Sequence, residues 1–192
     1  MTRSARIAWA GALLLLLIGS VAGATGNRGG GSAQLAAQLA DARFATAAYA
    51  TDLEAAKAAG YSLQITPNMP GMGFHFLNPS IGGEFDVTKP PILVYVKRGS
   101  DWQLAALEWV FTERPKKKPL KGARYGSFPA ACHYADGSFV PAGAEADCAP
   151  TNGGAAFTFW HPRLVTLHVW LWYPNPDGLY ASTNPLVAPL TG

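Results

Sequence analysis

The sequence lacks the short motifs that mark several large classes of enzyme. It contains no G-x-S-x-G, no H-E-x-x-H, no C-x-x-C and no glycine-rich phosphate-binding loop. These absences argue against classical hydrolase and nucleotide chemistry, because each motif supplies the nucleophile, the metal ligands or the phosphate cradle on which that chemistry depends.

Charge is also scarce, at 14% of the residues. The formal net charge of +3 includes Arg3 and Arg6 of the N-terminal segment; without them, thirteen basic residues face twelve acidic ones, for a net charge of +1. The basic cluster Lys116–Lys118 lies among prolines, as in a solvated loop. We therefore predict no nucleic-acid partner.

Residues 1–24 are typical of a secretory signal peptide. Two arginines precede a leucine-rich run, Ala12–Ala24, that ends in the small residues Ala22-Gly23-Ala24. Cleavage there predicts a secreted, periplasmic or cell-surface protein without stable membrane insertion. An uncleaved N-terminal anchor is the alternative, since the run is near the lower length limit for a membrane span.

There are only two cysteines, Cys132 and Cys148. In an exported chain an even pair predicts a disulfide, here closing a loop rich in small and turn-forming residues. Such a crosslink contributes about 3 kcal/mol in the chain-entropy model. A cysteine-based metal site is disfavoured, because the spacing matches no zinc pattern.

The composition predicts one α+β domain over residues 33–192, after a flexible glycine-rich linker at 25–32. An alanine-rich helix to about Ala50 is followed by a second helix over 52–59, with a Thr51/Glu54 capping box. Short apolar runs separated by Gly, Pro and Asn then predict a curved, mostly antiparallel sheet packed on these helices. The main predicted strands are 74–78, 91–98, 102–113, 156–160 and 164–173.

Three ionisable residues fall in the middle of predicted strands: His75, Glu108 and His168. The strand containing Glu108 is apolar on both faces, so a buried carboxylate there needs a partner or a raised pKa. Two imidazoles and a carboxylate can bind a divalent metal ion or a polar ligand group, or exchange protons. Glu108 would be the third metal ligand, or the acceptor that fixes a histidine tautomer. A purely structural hydrogen-bonded pair is the alternative.

His133, beside Cys132, and His161, before Pro162, are weaker candidates, and each could supply a third imidazole if the loops fold over the site. Alternation places Trp170 and Trp172 on the same face as His168, where they would wall an apolar pocket with one polar end. Asn78 and Asn175 could add hydrogen bonds at its rim. Each asparagine precedes a proline, so turn formation is the alternative role.

The motifs PNMPGMGFHFLNPSI, LEWVF and LHVWLWYPNPDG carry a resemblance that covers most of the chain after the signal peptide. The sequence resembles a group of exported bacterial proteins of unassigned function that share MG-x-H-x-x-NP, a Glu-aromatic strand and LHVWLW-x-x-NP-x-G. The resemblance implies that His75, Glu108 and His168 form one site, and it implies no activity. The chain departs from the group at Trp109, where tyrosine is more frequent, and in its cysteine loop.

The leading hypothesis is therefore a metal- or ligand-binding site formed by His75, Glu108 and His168 in an aromatic-lined pocket. The second is a non-catalytic extracellular binding or assembly module, in which the low-charge surface is an interface and the histidines are structural. A third, proton transfer on an apolar small molecule, requires a pocket that the sequence cannot show. The sequence leaves the oligomeric state and the identity of any metal ion open.

Overall fold

Two helices open the part of the chain that the structure describes. A computed structural model describes residues 30–190, so the predicted signal peptide over residues 1–24 lies outside it. Helix α1 (Gly30–Thr46) runs into a 3-10 turn (Ala47–Tyr49), and α2 (Leu53–Ala58) follows. Both predicted helices are confirmed. Residues 30–32, expected in the linker, instead form the first turn of α1, although Gly30 and Gly31 are poor helix formers.

The start of α2 differs from its predicted cap by one residue. Asp52, not Thr51, is the N-cap, and its carboxylate accepts a hydrogen bond from the backbone N–H of Ala55 at 2.9 Å. Gly60, with a φ of +103°, follows the C-cap residue Ala59, in the left-handed conformation that glycine adopts at helix ends.

This difference predicts a measurable asymmetry between the two neighbouring positions. Asp52→Ala is expected to lower the free energy of unfolding by about 1 kcal/mol, because an N–H of the first turn loses its acceptor. Thr51→Ala is expected to change it by less than about 0.5 kcal/mol, since Thr51 is exposed. Urea unfolding of both variants checks this, and a larger loss for Thr51→Ala would contradict the assignment.

Within residues 30–190, ten strands form two antiparallel sheets. The six-stranded sheet has the order β1-β2-β3-β4-β10-β5, and the four-stranded sheet has the order β7-β6-β9-β8. The strands are β1 (Leu63–Gln64), β2 (Phe74–Leu77), β3 (Ile92–Arg98), β4 (Asp101–Phe111), β5 (Gly126–Phe128), β6 (Ala131–Tyr134), β7 (Phe139–Pro141), β8 (Thr151–Asn152), β9 (Ala155–His161) and β10 (Leu164–Val169). Arg98 pairs with Asp101 across the hairpin turn that connects β3 to β4.

The smaller sheet carries the predicted disulfide. Cys132, in β6, is bonded to Cys148, and their Cα atoms are 5.6 Å apart. The crosslink therefore ties the loop after β7 back to the central part of this sheet.

The large sheet is covered on both faces, as the apolar pattern of β4 predicted. On one face, Leu93, Leu107 and Leu167 form the main core, against which α1 and α2 pack. On the other face, Val94, Ala106 and Trp170 form a second, smaller core. The chain is thus an α+β domain with helices on one side of an antiparallel sheet. Within residues 30–190, no helix is both long enough and apolar enough to cross a membrane.

Candidate functional site

His75 is held on the face of the sheet opposite the helices. It lies in β2 and is 3% exposed. Its Nδ1 is 2.9 Å from the hydroxyl oxygen of Thr66, which also accepts a hydrogen bond from the His75 backbone N–H. This double contact fixes the ring on the segment that follows β1.

Register brings the other two predicted residues to the same place. In the pairing of β10 with β4, His168 lies directly opposite Glu108, so their side chains share a face. Nε2 of His75 is 3.5 Å from Oε2 of Glu108, and the rings of His75 and His168 have centroids 6.1 Å apart. The three side chains that the sequence singled out therefore converge.

Burial drives all three groups toward their neutral forms. It raises the pKa of Glu108 to about 7 and lowers the pKa of His75 to about 4. The pKa of His168 falls to about 3, first because of burial and second because of its proximity to His75. Although 3.5 Å would permit an ion pair between His75 and Glu108, ionising both would require two desolvation penalties, so we infer a neutral pair.

These three residues line a cavity of about 880 Å³, which is within the range of small-molecule sites. Apolar side chains form much of its wall, and they include Met69, Met72, Leu77, Ile92 and Val110. β2, β3 and β4 contribute Leu77, Ile92 and Val110, so the cavity is apolar around a polar patch. A carboxyl group that titrates near neutral pH, beside neutral imidazoles, can exchange protons with a bound molecule.

His133 and His161, ranked low from the sequence, line the same cavity. They project from β6 and β9, and their ring centroids are 5.0 Å apart. His133 stacks on Phe159 with centroids 4.6 Å apart and planes 6° from parallel. The spacing of two in AFTFWH, which puts Phe159 and His161 on one face of a strand, is the signal in the sequence that could have identified this pair.

The tryptophans lie elsewhere than predicted. Trp170 does share a face with His168, their rings 4.7 Å apart, yet it is not among the residues that line the cavity. Trp172 packs on the helical side, where its Nε1 donates to Thr46. The alternation fails because β10 ends at Val169 and a tight turn follows, in which the N–H of Leu171 bonds to the Val169 carbonyl.

The asparagines form turns rather than a rim. The amide of Asn78 donates to the carbonyl of Ala59, and its oxygen accepts from Ser80. Asn175 likewise donates to the carbonyl of Thr183 and accepts from the N–H of Asp177. Since their polar groups are already paired within the protein, and neither residue lines the cavity, both have the turn-forming role.

Unpaired polar atoms concentrate at the cavity. In the described part of the chain, four buried side-chain nitrogen or oxygen atoms have no hydrogen-bond partner within the protein: Tyr125 Oη, His133 Nε2, His168 Nδ1 and His168 Nε2. All three residues line this one cavity. Leaving such an atom unpaired costs about 1–3 kcal/mol, so their concentration here calls for a specific explanation.

Metal-binding geometry is incomplete among residues 30–190. No group of three or more His, Cys, Asp or Glu side chains in this range is positioned to hold a metal ion. Both cysteines form the disulfide, so neither has a thiolate that could bind a metal ion. His75 and Glu108 therefore have the spacing of two ligands without a third ligand already in position.

Comparisons with protein-family models, with curated proteins and with solved structures found no match to this chain. The chemistry of the cavity is consequently the basis for a functional argument.

Proposed function

We propose that this protein is exported and binds a small, largely apolar organic molecule in the cavity, with His75, Glu108 and His168 around a polar group of that molecule. The observation that carries this proposal is that every buried polar side-chain atom left unpaired in the described residues belongs to a residue lining this cavity. A bound molecule with hydrogen-bonding groups would pair these atoms, whereas a structural role would have paired them within the protein.

A divalent metal ion is the second candidate. The 3.5 Å between Nε2 of His75 and Oε2 of Glu108 is about the separation of two ligands around a tetrahedral ion. His168, with both ring nitrogens unpaired, is the nearby residue that could complete such a site. An organic molecule is favoured because the cavity is far larger than an ion needs.

An assembly module is supported less well. Among residues 30–190, the exposed large apolar side chains are Phe44, Val140 and Leu186, which lie in α1, in β7 and near the C-terminus. Single exposed apolar residues are normal on a monomer, whereas an interface requires a contiguous patch.

The test of organic-molecule binding is titration of the purified protein with N-phenylnaphthylamine, a neutral apolar probe whose fluorescence rises in an apolar site. We expect one probe molecule bound per chain. Val110→Trp, which fills the cavity, should weaken binding at least about tenfold. Val140→Trp is the matched control, because it adds the same side chain at a residue outside the cavity.

Failure of the wild-type protein to bind the probe, or unchanged binding by Val110→Trp, would contradict the proposal. Metal analysis of protein purified from the exported fraction, without chelator or affinity tag, separates the second candidate. Near-stoichiometric metal in the wild type that is lost in both His75→Ala and His168→Ala would replace the organic ligand with a metal centre.

A further inference from the structure

The cavity has a second polar patch, formed by His133 and His161, and its hydrogen-bonding character is fixed by the fold. Nδ1 of His133 lies 2.9 Å from the carbonyl oxygen of Ile65. A carbonyl oxygen can only accept a hydrogen bond, so the proton of the neutral ring sits on Nδ1 and Nε2 is left as a bare acceptor. Burial lowers the pKa of His133 to about 4, which keeps the ring neutral at physiological pH.

His161 has the same polarity. Its Nδ1 lies 2.6 Å from the carbonyl oxygen of Pro162, so in the neutral ring Nε2 is again the acceptor. The rings of the two histidines are 5.0 Å apart, and stacking on Phe159 holds the His133 ring in place. This end of the cavity therefore offers acceptors within an aromatic cluster.

His168 places a different demand on the ligand. Neither of its ring nitrogens has a partner within the described protein, so the neutral ring offers one donor and one acceptor. A hydroxyl group can satisfy either nitrogen. A carboxylate or an ether oxygen can only accept a hydrogen bond, so it can pair only with the N–H of the His168 ring. Placed beside Nε2 of His133, such an oxygen would set its lone pair against the nitrogen lone pair, which is repulsive.

The two patches lie within reach of one small molecule. His133 bonds to the backbone of Ile65, and His75 bonds to the side chain of the next residue, Thr66. Adjacent residues are about 3.8 Å apart along the chain, so the two rings are separated by a distance on the order of 10 Å.

Resting on the proposed function, we propose that the ligand is a neutral aromatic compound with at least two hydroxyl groups, one of which donates a hydrogen bond to Nε2 of His133. Phe128 and Phe159 supply aromatic surface beside this acceptor, where a flat ring can stack or pack edge to face. Hydroxyl groups at both ends would pair the unpaired imidazole nitrogens without bringing a charge into the apolar cavity.

The experiment compares dihydroxybiphenyl, hydroxybiphenyl and biphenylcarboxylate by calorimetry on the full protein. We expect dihydroxybiphenyl to bind about tenfold or more tightly than hydroxybiphenyl, and the carboxylate to bind most weakly. In His133→Asn, whose amide can still donate to the Ile65 carbonyl, the Nε2 acceptor is gone and the preference for the second hydroxyl should fall to about twofold or less.

Thr158→Val is the matched control. The Thr158 hydroxyl bonds to the backbone carbonyl of His133, so the variant loosens the same part of β6 and β9 while keeping the imidazole acceptor. It should retain the wild-type preference. If His133→Asn does not fold, nitrogen NMR of the wild-type histidines replaces it, and the His133 Nε2 resonance should shift toward that of a hydrogen-bonded nitrogen when dihydroxybiphenyl is added.

Equal affinity for the mono- and dihydroxylated probes, tighter binding of the carboxylate, or an unmoved His133 resonance would overturn this inference. The proposed function would survive these outcomes if N-phenylnaphthylamine still binds and Val110→Trp still blocks it. If the wild-type protein also fails to bind N-phenylnaphthylamine, both proposals are contradicted.

Discussion

Replacing Gly73 with alanine is expected to lower the free energy of unfolding by about 3–6 kcal/mol. Gly73 has a φ of +110°, and a Cβ atom there would overlap the carbonyl oxygen of Tyr95, a backbone atom of β3. Because that oxygen belongs to a paired strand, the overlap can be relieved only by moving β2 away from β3. The displacement would reach His75, which lies two residues further along β2.

Gly178→Ala is the matched control for this prediction. Gly178 has a similar φ of +104°, but a Cβ atom there meets no heavy atom within 4 Å. Gly178→Ala is expected to lower the free energy of unfolding by about 1–2 kcal/mol, which is the conformational strain of a positive φ alone. Urea unfolding followed by tryptophan fluorescence measures both variants, and equal losses would mean that the close approach of β2 to β3 contributes nothing.

Replacing Glu108 with glutamine is expected to stabilise the protein increasingly as the pH rises. Burial raises the pKa of Glu108 from 4.5 to about 7 in the folded protein, so the folded state holds this proton more tightly than the unfolded state. The resulting stabilisation is complete below about pH 4.5 and is lost as the pH rises through 7. Glutamine is neutral at every pH and suffers no such loss.

The difference in unfolding free energy between Glu108→Gln and the wild type should therefore move in favour of the variant by about 3 kcal/mol between pH 4.5 and pH 8. Denaturant unfolding at several pH values measures it. Glu113→Gln, at an exposed position, serves as the control and should change the free energy of unfolding by less than about 0.5 kcal/mol.

The opposite trend would identify an ion pair. If Glu108 were ionised beside a protonated His75, removing its charge would leave a buried cation unpaired, and the variant would be least stable relative to the wild type at neutral pH. The two results therefore decide whether the polar patch is neutral, which determines whether a neutral molecule is the appropriate ligand.

Local patterns were sufficient for both helices, for five of the ten strands within residues 30–190, and for the three leading candidate residues. Alanine-rich stretches predicted α1 and α2, because helix propensity and capping act within a few residues. The apolar pattern on both faces of its strand indicated that Glu108 is buried, and the predicted signal peptide together with an even cysteine pair predicted the disulfide. The three mid-strand residues His75, Glu108 and His168 could be selected in the same way, since a titratable group in an apolar run is visible without knowledge of the fold.

Sequence patterns were thus enough to predict an α+β chain with a disulfide and with three ionisable residues in its strands. The tertiary structure alone decided that His168 lies opposite Glu108, because register depends on pairings between distant strands. It also brought His133 and His161 from the second sheet into the same cavity, and the turn after Val169 carried Trp172 away. These outcomes depend on long-range contacts, which no periodicity within a single segment encodes.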